Sequence, residues 1–303
     1  METKRVRVIG AGLAGSEAAL QLASFGFDVD LYEMRPEKPT PAHRGGALAQ
    51  LVCSNSFKGL ALTSAHGLLK NELNMLGSFL LKAAERTAVP AGESLTVNRD
   101  LFSEEVERLI LACPNITLHR EEVKTLEGEF PTIVAAGPLA SDTLADDIFK
   151  RLGSERLHFF DAIAPVVETE SIDFEHAFYK NRWEKGETED FINCPLDKET
   201  YDLFVQKLRE AESIEPRPFE KHELFEGCLP IEEMARRGTE TLRYGPMRPV
   251  GLGINPTGKK WHAVIQLRAE NAQKTLFNMV GFQTRLKWGT QKEIFSLVPA
   301  LRN

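Results

Sequence analysis

The sequence is poor in cysteine, and its few cysteines are not spaced as redox or metal-binding pairs. The four, at positions 53, 113, 194 and 228, include no C-x-x-C motif. These spacings argue against a zinc site and a small disulfide framework, and they favour a reducing compartment. No apolar run approaches the roughly 20 residues of a membrane span, and the starting METKRVRVIGAG has no signal-peptide core. We therefore expect a cytoplasmic protein.

An overall positive charge is also missing. The formal net charge is −7 over 303 residues, which argues against a uniformly basic surface for nucleic acid. Residues 236–292 depart from this balance, because they hold eleven Lys or Arg and two acids, a net charge of +9. Tyr244, Trp261 and Trp288 fall among these charges, as in surfaces that stack on bases. The segment predicts an anionic partner on one face; a solvated charged face with core tryptophans is the alternative.

A glycine turn is present in the setting of a nucleotide-binding βαβ unit. RVRVI predicts a buried strand, a helix follows GAGLAG, and FDVDLYE predicts the second strand. Gly10 permits the tight turn, Gly12 lets the backbone approach a pyrophosphate, and Gly15 lets helix and strand pack closely. Glu33 ends the second strand, where an acid hydrogen-bonds a ribose hydroxyl. The candidate cofactor contacts are Gly10, Ala11, Gly12, Leu13, Ala14, Gly15, Glu33 and Gly137.

The rest of the chain predicts a mixed α/β architecture. Residues 34–60, rich in Pro, Gly, His and Ser, predict a long loop. TIVAAGPLAS supplies a second strand-to-glycine turn, and two such turns resemble two-dinucleotide-domain flavoproteins more than a simple dehydrogenase. The predicted strands are 5–9, 27–33, 116–120 and 132–137, and the helices after the first are 63–86, 101–112 and 201–212. The predicted apolar side of helix 63–86 comprises Leu68, Leu69, Leu73, Leu76, Leu80 and Leu81.

Two cysteines lie in polar or turn-forming sequence rather than among core aliphatics. In LVCSNSFKG, Cys53 precedes small polar residues, whereas a structural cysteine favours apolar neighbours. Loops after strand ends face the ligand crevice of a Rossmann fold, so this thiol is a candidate for contact with a cofactor or substrate. A quiet, half-buried cysteine is the alternative. Cys228, in FEGCLPIEEMARRG, is predicted on a turn, Cys113 is predicted in the core, and Cys194 has no evident partner.

Several longer motifs follow one another along nearly the whole chain. They are GAGLAGSEAA, LVCSNSFKG, LLKNELNMLGS, VPAGESLTVNRDLFS, AAGPLAS, FEGCLPIEEMARRG, TLRYGPMRPVGL and VGFQTRLKWGTQKEIF. In this order they resemble the folate- and FAD-dependent tRNA uracil-5-methyltransferase family, TrmFO. The two cysteine motifs and YGPMRPVG are far more specific than the glycine turn.

The resemblance implies a flavoprotein methyltransferase of tRNA processing. Members use FAD, with methylenetetrahydrofolate as carbon donor and NAD(P)H as reductant, and form 5-methyluridine in the T-loop of tRNA. It implies two catalytic thiols: Cys228, beside the basic segment, as the nucleophile toward uracil, and Cys53 on the flavin side. The swapped assignment stays open, and so does ribosomal RNA as substrate. The candidate RNA contacts are Arg236, Arg237, Arg243, Arg248, Lys259 and Lys260.

The implied architecture is an α/β fold with a Rossmann-like FAD-binding domain and an inserted α+β domain. We expect the FAD domain at 1–165, the RNA-facing insertion at 166–285, and the start of a return to the FAD domain at 286–303. Family members continue beyond SLVPALRN, so we expect weak or absent FAD binding by this chain. There are three alternatives. The related carboxymethylaminomethyl-uridine family should lack the CSNS and EGCLP motifs, and a flavin disulfide reductase would need a redox cysteine pair close in sequence, which this chain lacks. A shortened paralogue that binds RNA without flavin stays open.

Overall fold

The computed structural model describes residues 4–152, 164–186, 188–213, 229–255 and 258–303. Its strands are β1 Arg5–Ile9, β2 Asp28–Tyr32, β3 Ser56–Gly59, β4 Ala88–Val89, β5 Ser94–Val97, β6 Ile116–His119, β7 Thr132–Val134, β8 Val166–Glu168, β9 Phe178–Tyr179, β10 Phe191–Leu196, β11 Ala263–Ala269 and β12 Leu276–Met279. Its α-helices are α1 Leu13–Ser24, α2 Ala65–Met75, α3 Phe79–Arg86, α4 Arg99–Leu111, α5 Asp142–Leu152, α6 Lys198–Glu210, α7 Ile231–Arg237, α8 Thr241–Tyr244 and α9 Trp288–Phe295. Short 3-10 helices lie at Thr169–Ser171, Arg182–Glu184 and Pro299–Leu301.

The chain divides into two compact units. Unit 1 comprises residues 1–52, 60–88 and 97–159, and unit 2 comprises residues 53–59, 89–96 and 160–303. The segment that follows the first cysteine therefore packs with unit 2. The predicted domain boundaries after residues 165 and 285 stay a prediction.

Unit 1 is built on a parallel sheet with strand order β6-β2-β1-β7. Val8 of β1 lies opposite Leu31 of β2 and Ile133 of β7. Val8 and Leu31 are fully buried, as expected for central strands of a parallel sheet. The first helix ends at Ser24, and Gly26 lies two residues later with a φ of 80°, which suits a glycine just beyond a helix C-terminus. The predicted βαβ unit and the strands predicted at 116–120 and 132–137 are thus confirmed, although the last strand already ends at Val134.

The single helix predicted at 63–86 is wrong, because two helices occupy this region. Gly77, with φ 80°, ends α2, and the Ser78 hydroxyl accepts from the Leu81 N–H to begin α3. The leucines of the predicted apolar side also differ in burial before and after Gly77. Leu80 and Leu81 of α3 are buried, but the leucines of α2 and the residue after it are exposed by 38–76%. These exposed residues are Leu68, Leu69, Leu73 and Leu76.

The predicted loop at 34–60 contains a strand at its end. Within unit 2, Ser56 of β3 lies opposite Thr96 of β5 in an antiparallel pair, and the small sheet has the order β3-β5-β4. The polar composition of this region did not indicate a strand. The strand forms through pairing with a segment about 40 residues away along the chain, a contact that local composition does not encode.

Unit 2 is built on an antiparallel sheet with strand order β8-β12-β11-β10-β9. One face of this sheet packs on α6, whose Tyr201 and Phe204 are fully buried in the core. Asp197 begins α6 by accepting a hydrogen bond from the Thr200 N–H at 2.8 Å. The helix predicted at 201–212 is confirmed, and it begins three residues earlier.

The two faces of the central strand β11 differ in character. Ala263, Ile265, Leu267 and Ala269 belong to the hydrophobic core. The alternate residues include Gln266 and Arg268, which are also buried. The neighbouring strands follow the same pattern, with Asn193 of β10 and Asn278 of β12 buried outside the apolar core cluster. A row of buried polar side chains therefore crosses the second face of the sheet.

Candidate functional site

The glycine turn lies at the carboxyl end of β1, where the chain has parallel neighbours on both sides. Gly10 has φ 97°, and a Cβ on it would lie 2.6 Å from the Ala135 carbonyl oxygen. A Cβ on Gly15 would lie 1.7 Å from the Gly10 carbonyl oxygen. A Cβ on Gly12 would meet no atom within 4 Å. Gly10 and Gly15 are thus required by packing, whereas Gly12 borders open space at the position where ligands bind in such sheets.

The first turn of α1 offers backbone donors to an anion. Gly12 is the N-cap and supplies no side-chain hydrogen bond, and the first turn holds no acidic residue. Ala11 is buried, whereas Leu13 and Ala14 are exposed. Unpaired N–H groups beside open space suit a phosphate. The turn therefore fits the pyrophosphate of a dinucleotide such as FAD.

Glu33 is buried directly after β2 and is held by three hydrogen bonds. Its Oε2 accepts from the Ala11 N–H at 3.2 Å, and its Oε1 accepts from the N–H and Nε of Arg35 at 3.0 and 2.9 Å. Burial raises the pKa of Glu33, but hydrogen bonds and charge from Arg35 outweigh burial and bring that pKa below its usual value. Glu33 is therefore an ionised acceptor at neutral pH.

Arg35 was missed by the sequence analysis, although it lies two residues after the predicted acid. Its Nη1 is buried without a hydrogen-bond partner among the described residues. Buried donors of this kind usually bind water or a ligand. At the second glycine turn, Gly137 has φ 64°, and a Cβ there would meet no atom within 4 Å. Both observations are compatible with a bound nucleotide in unit 1.

The first candidate thiol lies at the start of a segment anchored to the sheet of unit 2. Cys53 is exposed. Asn55, two residues later, is fully buried and donates to the Ala269 carbonyl oxygen at 3.0 Å. The polar residues after Cys53 thus serve as anchors, which explains why they replace core aliphatics in this motif.

The remaining cysteines differ from Cys53 in their surroundings. Cys228 lies outside the described residues. Cys113 is half-buried. Cys194 lies on β10 in the core, and burial raises the pKa of its thiol to about 12. Cys194 is therefore protonated and inert at neutral pH.

The six candidate RNA contacts are engaged to different degrees. Arg236 pairs with Glu233. Arg243 donates to Glu240 Oε2 at 2.8 Å and to the His262 carbonyl oxygen at 2.9 Å. Arg237, Arg248, Lys259 and Lys260 are exposed, as is Arg236, whereas Arg243 is half-buried. Exposed cations have the accessibility that phosphate contacts need.

The aromatic residues of the basic segment differ in their exposure to solvent. Tyr244 and Trp288 are exposed by 74% and 71%. The Arg243 guanidinium lies 5.7 Å from the centroid of the Tyr244 ring. Trp261 instead stacks on Phe178 with ring centroids 5.4 Å apart. Tyr244 and Trp288 are therefore the accessible stacking candidates.

Over the described ranges, no group of three or more His, Cys, Asp or Glu side chains is arranged to hold a metal ion. Nor does any helix in those ranges combine the length and apolar composition needed to cross a membrane.

The chain matches the family model described as glucose inhibited division protein A over residues 5–303. It is also similar to curated proteins named methylenetetrahydrofolate–tRNA-(uracil-5-)-methyltransferase TrmFO. Identity is 50% to that of Lactobacillus helveticus, over 99% of this chain and 74% of the relative. It is 51% to that of Desulfitobacterium hafniense, over 98% and 68%, and 53% to that of Aquifex aeolicus, over 99% and 67%. The chain belongs to the TrmFO family.

The fold of this TrmFO-family chain is similar to that of solved structures. GidA of Aquifex aeolicus, in two crystal forms, matches 99% of the chain with TM-scores of 0.68 and 0.66. Sequence identity to it is 17% and 16%, so this likeness concerns the fold alone. The chain spans about half the length of these structures, 53% and 55%. Together with the mixed sheets, the matches confirm the predicted α/β FAD-binding fold.

Proposed function

We propose that this chain catalyses folate-dependent methylation of uracil C5 in tRNA. The observation that carries the proposal is its identity of about 50%, along 98–99% of its length, to proteins named for that activity. The motif with the exposed thiol supports it, because the chemistry needs an accessible sulfur. A cytoplasmic location and the choice of tRNA over ribosomal RNA remain predictions from the sequence.

The proposed cofactor is FAD, bound at the glycine turn of unit 1. The open space at Gly12, the uncapped start of α1 and the ionised Glu33 support this assignment. The N–H groups of the first helical turn would hold the pyrophosphate, and Glu33 would accept a hydrogen bond from a ribose hydroxyl. FAD, when bound, would carry the one-carbon unit from methylenetetrahydrofolate and two electrons from NAD(P)H.

The proposed role of Cys228 is covalent catalysis at uracil. Uracil C5 is a poor nucleophile, and addition of a thiolate to C6 would activate it so that C5 bonds to the transferred carbon. Loss of the C5 proton to a base, with cleavage of the bond between the transferred carbon and its carrier, would leave an exocyclic methylene. Addition of a hydride that the reduced cofactor would supply to that methylene, with expulsion of sulfur from C6, would give 5-methyluridine and restore the thiolate. Cys53 is proposed as the thiol on the cofactor side.

The proposed tRNA contacts are four exposed cations of the basic segment. Arg237, Arg248, Lys259 and Lys260 would neutralise phosphates, while Tyr244 and Trp288 offer faces on which bases can stack. Arg236 and Arg243 already pair with carboxylates, so a phosphate would have to compete with Glu233 and Glu240.

The first experiment is a visible absorption spectrum of the purified chain, with and without added FAD. Because FAD binding by this chain is expected to be weak, we expect the flavin band once FAD is added, and then 5-methyluridine formation from unmodified tRNA, methylenetetrahydrofolate and NADPH. Transfer that required S-adenosylmethionine instead would eliminate the proposed chemistry. Binding of tRNA without any flavin band would support the non-catalytic RNA-binding alternative.

The second experiment assigns the thiols. Cys228→Ala should abolish methyl transfer while flavin binding persists, because the uracil nucleophile is not a flavin ligand. Cys194→Ala is the matched control, since that thiol is buried in the core and proposed for no step. Full turnover by the Cys228→Ala variant would refute its role. A covalent RNA adduct trapped on Cys53 would establish the swapped assignment.

A further inference from the structure

A buried polar network in unit 2 holds the segment that follows Cys53. Arg268 Nε donates to Asn55 Oδ1 at 3.0 Å, and Arg268 Nη2 donates to Ser54 Oγ at 3.0 Å. Asn278 Nδ2 donates to Asn55 Oδ1 at 3.2 Å and to Glu270 Oε1 at 2.6 Å. The network thus joins β11 and β12 to the two residues directly after the thiol.

Burial gives this arrangement its rigidity. Asn55 is fully buried, Asn278 is 2% exposed and Arg268 is 9% exposed. Removing a guanidinium from water is costly unless fixed partners replace the water, and fork-like hydrogen bonds to two side chains also fix orientation. The backbone at residues 54 and 55 is therefore determined by a side chain more than 200 positions later in the sequence.

The location of Arg268 excludes the role that its sequence context suggests. It belongs to the basic segment of residues 236–292, which predicts an anionic partner, although it is not one of the six candidate RNA contacts. A buried guanidinium that donates to Ser54, Asn55 and Asn278 cannot also cover a phosphate on the surface. Its hydrogen bonds point instead to the cysteine segment.

We infer that Arg268 is a positioning residue for Cys53. It acts through Ser54 and Asn55, which hold the backbone on the carboxyl side of the thiol in one geometry. The inference rests on the proposed function, in which this thiol takes part in methyl transfer. Small displacements of a reacting group cost large factors in rate, so a residue that fixes the thiol should affect turnover without affecting tRNA binding.

The test compares Arg268→Met with the matched variant Arg182→Met. Arg182 also reaches β11, donating from Nε to Gln266 Oε1 at 2.7 Å, but it makes no hydrogen bond to residues 53–56 among those described. We expect Arg268→Met to lower kcat by about 10- to 100-fold with KM for tRNA within about twofold. Arg182→Met should keep kcat within about threefold of the parent.

Two readouts separate positioning from simple loss of stability. Hydrogen exchange at residues 53–56 should become faster in Arg268→Met and not in Arg182→Met, at a temperature where both remain folded. Asn55→Ala should reproduce the loss in kcat. The double variant of Arg268→Met with Asn55→Ala should lose no more kcat than the more impaired of the two single variants, because both changes break one network. Additive losses would overturn the inference.

A milder pair covers the case in which Arg268→Met fails to fold. Ser54→Ala removes only the Nη2 partner, and Arg268→Lys keeps the charge without the fork. Losses in kcat at an unchanged melting temperature would support positioning, and unchanged kcat in both would overturn it. Cys53→Ala tests the role of the thiol separately from the role of Arg268. If Cys53→Ala is inactive while the Arg268 variants have normal activity, only the inference about Arg268 fails. If Cys53→Ala is fully active, the proposed role of the thiol fails, and the inference falls with it.

Discussion

At the scale of single residues, the three glycines of the nucleotide turn have different physical roles. Gly15 has no space for a Cβ, because the Gly10 carbonyl oxygen would lie 1.7 Å away. Gly12 has φ −72° and an empty surrounding, so alanine fits there without strain. Gly15 is thus required by the packing of the fold, whereas Gly12 leaves room for a ligand to approach the backbone.

This difference makes a paired prediction. Gly15→Ala should lower the free energy of unfolding by about 1–3 kcal/mol or more through overpacking. Gly12→Ala should leave the melting temperature of the flavin-free protein unchanged and weaken FAD binding, because the new methyl group occupies the approach to the pyrophosphate. Calorimetry and fluorescence titration with FAD measure the two effects. Equal FAD affinity in Gly12→Ala and the parent would contradict the proposed binding mode.

A second residue-scale prediction concerns pH. Burial lowers the pKa of His43 to about 4, and the charge of Arg35 acts in the same direction. Its ordinary value is about 6.5, so the unfolded chain takes up a proton at a higher pH than the folded chain. The corresponding stability is present above about pH 6.5 and is lost as the pH falls toward 4.

We therefore expect the melting temperature to fall between pH 6.5 and 4 more steeply in the parent than in His43→Gln. Differential scanning fluorimetry at half-unit pH steps measures both slopes. Parallel curves for the two proteins would show that His43 gains its proton as readily in the folded state as in the unfolded state.

At the scale of elements, helices α2 and α3 have similar leucine content and opposite exposure. Leu80 and Leu81 are 7% and 6% exposed, whereas Leu69 and Leu76 are 55% and 76% exposed. Leu81→Ala should cost about 2–5 kcal/mol of unfolding free energy. Leu69→Gln and Leu76→Gln should each stay within about 0.5 kcal/mol. Urea titrations compare them, and a large loss in Leu69→Gln would mean that α2 is covered in solution.

The sequence predicted the elements whose signals are local. The first βαβ unit follows from strand periodicity and three glycines, and α6 follows from its apolar spacing. The break at Gly77 was missed because a helical leucine pattern continues across it. The strand at Ser56–Gly59 was missed because its residues are polar and its pairing is distant.

In the candidate site, too, only the residues with a local sequence signal could be predicted. Glu33 follows from its spacing after the glycine turn, but its partner Arg35 carries no comparable signal. The link from Asn55 to Arg268 joins residues 213 positions apart, and no periodicity or motif in a single sequence encodes such a contact. Composition placed Arg268 only in the basic segment of residues 236–292 and gave no sign of its contact with the cysteine segment.

At the scale of the whole molecule, charge is distributed unevenly. The chain is acidic overall, and its basic segment presents the exposed Arg248 and Lys259. Binding of tRNA should weaken as salt rises, because phosphate contacts release counterions. Arg248→Gln should reduce the slope of log affinity against log salt by about one, whereas the exposed Lys124→Gln, outside the segment, should not. Filter binding at several salt concentrations tests this, and identical slopes for the two variants would remove Arg248 from the interface.

The two-faced character of β11 has a consequence for how unit 2 reaches its native topology. If this strand slipped by one residue against β10, Gln266 and Arg268 would enter the apolar layer around Phe204 and Phe282, and Leu267 would meet Asn193. Each polar group buried without a hydrogen-bond partner costs about 1–3 kcal/mol, so the mispaired sheet would be less stable by several such contributions. Arg268, which orients the cysteine segment, thereby also disfavours incorrect strand pairing during folding.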